Sequence, residues 1–124
     1  MSGRPRSLPQ VPPNVESAMA LVCTVPASGR DKRRWSVHDV LSRATSSREV
    51  ENGVAFLFEN SDDAARSVLD LVLAERTCCA QFTYSIVFEP EHAPIALRVE
   101  AVGALVQPLK DLFLGLSRQT GSDA

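Results

Sequence analysis

The strongest constraint on this chain is a pair of alternating apolar runs separated by a turn. Phe82, Tyr84, Ile86 and Phe88 interleave with Thr83, Ser85 and Val87; after EPEHAP, Ile95, Leu97, Val99 and Ala101 repeat the pattern. Successive side chains of an extended strand point to opposite faces, so each run predicts a strand with one apolar side. Joined by a short turn, the two pair antiparallel, and their common apolar face must be covered by other elements.

The cover is legible as helical spacing. Val37, Val40, Leu41 and Ala44 recur along GRDKRRWSVHDVLSRA, with Trp35 on the opposite side. Leu105, Leu109, Leu112, Phe113 and Leu116 recur near the end, where Pro108 is tolerable in a first turn. Another helix is predicted from Asn60 or Ser61, either of which can cap it, with Asp62 and Asp63 complementing its dipole. SREVENGVAFLFEN predicts a second hairpin: Asn52-Gly53 supplies the positive φ angles of a tight turn, and Val54, Phe56 and Phe58 share a face. AMALVCTVP, stopped by Pro26, reads as a further buried strand in which Leu21, Cys23 and Val25 face one way. The expected fold class is α+β: a small antiparallel sheet of about four to five strands in hairpins, covered on one face by about three helices.

With 124 residues, 44% of them apolar, the chain suits one domain that buries a core without staples. Residues 17–118 are expected to form it, after a disordered Pro- and Arg-rich leader at 1–16 and before a polar tail at 119–124. The net charge of −2 creates no field that recruits nucleic acid or an anionic membrane, so neither is expected as a partner. The basic cluster Arg30, Lys32, Arg33 and Arg34 reads as a solvated helix face, and Trp35 beside it as a contact residue for a second copy or another segment. No run reaches the roughly 18 apolar residues of a membrane span, and Pro5, Pro9, Pro12 and Pro13 interrupt any signal-peptide core, so the expected location is cytoplasmic. There the three cysteines, two of them adjacent, are expected as thiols rather than a disulfide framework.

The segment LAERTCCAQF, Leu73 to Phe82, carries the chemistry. At about 100° per residue, Ala64, Ala65, Val68, Leu69, Leu71 and Val72 form one apolar face of the preceding helix, while Arg66, Asp70 and Thr77 point away. Glu75 falls on the apolar stripe, and Cys78 and Cys79 follow at i+3 and i+4 on either side of it. A buried carboxylate has to protonate, pair or coordinate. Three readings follow. The glutamate pairs with Arg98 or Arg34 and the cysteines fill core, as buried cysteine often does. Or Cys78, Cys79 and Glu75, with Cys23 across the sheet, hold a soft metal ion such as zinc or copper, or a metalloid. Or Glu75 acts as acid/base beside a nucleophilic Cys79 on a small apolar substrate. Adjacent helical cysteines diverge by about 100°, so the metal reading requires the helix to unwind at the pair. His38 reads as a packed residue at the edge of its stripe and His92 as a solvent-facing turn residue. No phosphate-binding glycine loop, dinucleotide fingerprint or Ser-His-Asp arrangement is legible.

This E-x-x-C-C element, Glu75, Cys78 and Cys79 followed by Phe82 and Tyr84, resembles a family of small, largely uncharacterised bacterial proteins. The glycine before the aromatic-rich strand in VENGVAFLF and the early Cys23 are similar to that family too, and the likeness runs from about Leu21 to Leu116. Family members often have proline and an aromatic after the cysteine pair, where this chain has Ala80-Gln81. The resemblance implies the site rather than a reaction. The expected function is soft-metal or metalloid binding; the alternatives are the small enzyme and a non-catalytic, homodimeric interaction domain.

Overall fold

The computed structural model describes residues 36–117. The expected leader, the strand containing Cys23, the Arg30–Trp35 cluster and the polar tail lie outside the described residues. Residues 36–41 are helical (α1). Then come β1 (Ser46–Val50), β2 (Gly53–Phe58), α2 (Asp62–Cys78), β3 (Thr83–Val87), β4 (Ile95–Glu100), a short 3₁₀ turn (Gly103–Leu105) and α3 (Val106–Ser117). The fold is α+β: one open antiparallel sheet with strand order β1-β2-β4-β3, packed by three helices.

That order follows from the connections. Each hairpin pairs its own strands, and β4 then inserts between β2 and β3, pairing antiparallel with both. α2 carries the chain over the sheet from β2 to the far edge. The two central strands supply the inner face: Val54, Phe56, Phe58, Ile95, Leu97 and Val99 are at most 1% exposed. Leu109, Leu112, Phe113 and Leu116 of α3 join the same core, as do Val68 and Leu71 of α2 and Val37 and Leu41 of α1. The opposite face carries the exposed Ser46, Arg48, Leu57, Val87 and Arg98.

Local chemistry sets the boundaries. The Ser61 hydroxyl accepts from the Ala64 amide at 3.1 Å, with Asp62 and Asp63 in the first turn of α2. Ser61→Ala should lower stability by about 1 kcal/mol, read from the urea midpoint; a change of a few tenths would mean the cap is not what anchors the helix start. At the other end of the sheet, Gly103 has φ +60°, a conformation cheap only for glycine, and turns the chain from β4 into α3. His38 is buried, and its Nδ1 lies 2.9 Å from the Leu116 carbonyl, which ties α1 to α3 and requires that nitrogen to carry the proton.

Three expectations are corrected. Val50 pairs with Gly53, so the hairpin turn is Glu51-Asn52 rather than Asn52-Gly53, and neither Asn52 nor Gly53 has positive φ. Gly53 serves another purpose: a Cβ there would overlap the Val99 carbonyl oxygen on β4. Leu69 is 48% exposed, because the buried stripe of α2 is narrower than its apolar residues and runs through Val68, Leu71, Glu75 and Cys78. Phe88 lies beyond the end of β3 and is 60% exposed, since the chain is already entering the turn where Glu91 and His92 adopt positive φ. No helix among the described residues is long and apolar enough to cross a membrane.

Candidate metal centre

The final turn of α2 sits over β3, with Glu75, Cys78 and Cys79 only 3%, 4% and 1% exposed. Helical geometry brings all three onto the buried side, with Cys78 at i+3 and Cys79 at i+4 flanking Glu75. Cys79 is also where the helix stops. It is the C-cap residue, with φ −122° and ψ 72°, although its amide still donates to the Glu75 carbonyl at 2.6 Å. The backbone thus departs from helical torsions at the second cysteine, and the two Sγ atoms lie 3.8 Å apart. Unwinding at the pair was the condition that metal binding imposed on the sequence, and the backbone meets it.

The carboxylate completes a compact triangle. The Cys79 thiol donates toward Glu75 Oε1 at 3.7 Å, and one ligand atom from each of the three residues lies within 4.8 Å of the others. These spacings can be compared with a coordination shell. With Zn–S near 2.3 Å and Zn–O near 2.0–2.2 Å, a tetrahedral ion separates two sulfurs by about 3.8 Å and a sulfur from an oxygen by about 3.6 Å. The Sγ–Sγ and Cys79 Sγ–Glu75 Oε1 distances fall near those lengths, and the third edge of the triangle is at most 4.8 Å. Glu75, Cys78 and Cys79 thus form a group able to hold a metal ion.

An aromatic wall backs the group. Phe82, buried after the loop, meets Phe113 edge-on at 6.1 Å and Tyr84 at 6.5 Å between ring centroids. The Tyr84 hydroxyl lies 3.2 Å from the Glu75 carbonyl and 3.1 Å from the Cys79 carbonyl, both of which accept from it. The Phe82 amide adds a 3.3 Å bond to the same Cys79 oxygen. The sequence marks Tyr84 only as an inward strand residue. The usable signal was its hydroxyl, which on an apolar face needs a polar partner, and the nearest such groups are the last carbonyls of a helix.

The structure separates the other candidates. Arg98 does not meet Glu75: it projects from the opposite face of β4, with its side chain 45% exposed and 4.0 Å from Glu100. Its strand neighbours Leu97 and Val99 point inward, so alternation turns Arg98 outward and rules that pairing out. Cys23 and Arg34 lie outside the described residues. His92 is exposed in its turn, away from the group. Comparison of the chain with known protein families, curated proteins and solved structures finds no match.

Proposed function

We propose that this protein binds a soft or borderline metal ion, or a metalloid, in the cytoplasm, through Cys78, Cys79 and Glu75. The observation that carries the reading is the convergence of two sulfurs and one carboxylate oxygen, mutually within 4.8 Å, on a helix end that is unwound at the second cysteine. The carboxylate is 3% exposed and within reach of the Cys79 thiol, which places a hard oxygen donor beside the two sulfurs. Thiolates select zinc-, copper(I)- and arsenic-like ions over magnesium or calcium, and one carboxylate is compatible with a zinc shell.

The test uses protein purified without chelator and then stripped. Addition of zinc or arsenite should raise the melting temperature, and cobalt(II), as a visible stand-in for zinc, should develop thiolate-to-metal charge-transfer absorption at one equivalent. Thiol protons must leave on binding, so uptake should release acid and reverse on acidification. Absence of metal at purification together with no thermal shift from zinc, copper or arsenite would remove the proposal.

A second reading is favoured by the 3.7 Å contact between the Cys79 thiol and Glu75 Oε1, a thiol with a carboxylate base in reach. It predicts that one cysteine labels rapidly and selectively with iodoacetamide in the metal-free protein. At 1% exposure, Cys79 is expected to label slowly, which counts against this second reading.

A further inference from the structure

We propose that Tyr84 is a positioning residue for the metal centre: its hydroxyl, reaching from β3, holds the unwound turn in the shape that brings the two sulfurs together. The inference rests on the metal-binding reading and adds to it the part of the sheet that shapes the site.

The argument begins with the backbone. Where α2 ends, its last carbonyls lose their helical partners and need others. The Glu75 carbonyl keeps the Cys79 amide at 2.6 Å, but Cys79 itself leaves helical torsions, so its own carbonyl turns out of the helix. That oxygen receives the Phe82 amide at 3.3 Å, a long bond, and the Tyr84 hydroxyl at 3.1 Å. The same hydroxyl sits 3.2 Å from the Glu75 carbonyl. A phenol has one proton, so the two carbonyls share it, and a single side chain joins residues 75 and 79. Those are two of the three residues that offer ligand atoms.

The anchor is fixed in the sheet. Tyr84 pairs with Val99 in the sheet, and its ring packs against Phe82. Phenylalanine would satisfy the strand, the ring packing and the apolar face equally well; the hydroxyl distinguishes tyrosine, and it bonds both carbonyls of the cap. Removing it leaves the Cys79 carbonyl with the long 3.3 Å bond to the Phe82 amide, which loosens the turn that sets the 3.8 Å Sγ–Sγ spacing. Partners one bond removed from the ligands typically change metal affinity by about 10–100-fold when lost.

The experiment compares wild type with Tyr84→Phe by cobalt(II) titration. The variant is expected to keep its far-ultraviolet circular dichroism, bind cobalt about tenfold more weakly, and show altered ligand-field bands, a signature that a merely structural role would not move. Amide exchange at Cys79 and Phe82 in the metal-free variant should quicken. Cobalt affinity within twofold of wild type, with an identical spectrum, would overturn the positioning role while leaving metal binding intact. A wild-type protein that takes up no cobalt, zinc or arsenite overturns the metal reading and the positioning role together. If the variant folds poorly, the wild-type chain still decides: Tyr84 is the sole tyrosine, so fluorotyrosine labels one site. Its fluorine resonance should shift on zinc binding, and an unmoved resonance at saturation overturns the proposal.

Discussion

Cys78→Ala/Cys79→Ala is expected to abolish the effect of zinc on stability while leaving a folded protein. Both sulfurs are buried, and each is small, so alanine removes little volume and introduces no polar group. The metal-free variant should therefore lose only about 1–2 kcal/mol relative to metal-free wild type. The large effect lies in the response to metal. An ion that binds only the native state, at a free concentration 1,000-fold above its Kd, stabilises by about 4 kcal/mol. For a domain of this size that raises Tm on the order of 20 °C. With two of three donors gone, the affinity should fall by at least about a hundredfold, beyond what loss of a supporting contact alone produces. Differential scanning calorimetry with and without zinc separates the possibilities. If the double variant gains as much in Tm from zinc as wild type does, the ion binds elsewhere. If neither gains anything, the cysteines are core and nothing more.

Gly53→Ala is the second large effect, and it acts on the sheet rather than the site. A methyl group at that position would overlap the Val99 carbonyl oxygen and come within 2.9 Å of Glu100 Cα. These are backbone atoms of the paired strand, so no rotamer change relieves the clash. The start of β2 would have to separate from β4, one residue from the fully buried Val54 and its partner Val99. Overpacking against movable side chains already costs about 1–3 kcal/mol, and a backbone obstacle should cost about 3 kcal/mol or more, against a total of roughly 5–15 kcal/mol for a domain. The expected result is a strongly lowered urea midpoint or poor recovery of soluble protein. A loss under about 1 kcal/mol would show that β2 and β4 are not so closely apposed there.

Several elements could be read before any coordinates. The alternation through Ile95, Leu97, Val99 and Ala101 gave a strand with its buried face correctly chosen, and Val54, Phe56 and Phe58 did the same for its neighbour. The α2 stripe placed Glu75 and Cys78 inside, and Ser61 was named as one of two caps. Errors arose where a local rule met a distant strand. Asn52-Gly53 looks like a turn because glycine permits positive φ, yet here the glycine is needed for the approach of β4, and the turn lies one residue earlier. Arg98 is a different case: the alternation that buries Leu97 and Val99 already puts it on the far face, beside Glu100.

By itself, then, the sequence determined the kinds of element, their amphipathic faces, and the presence of an acid and two thiols on the inner side of one helix. These are properties of side-chain period, which depends only on neighbours along the chain. The tertiary structure decided the strand order β1-β2-β4-β3, the end of the helix at Cys79, and the reach of the Tyr84 hydroxyl to both ends of the last helical turn. Those features come from contacts among β3, β4 and α2, whose geometry is set by packing between segments and leaves no periodic trace in any one of them.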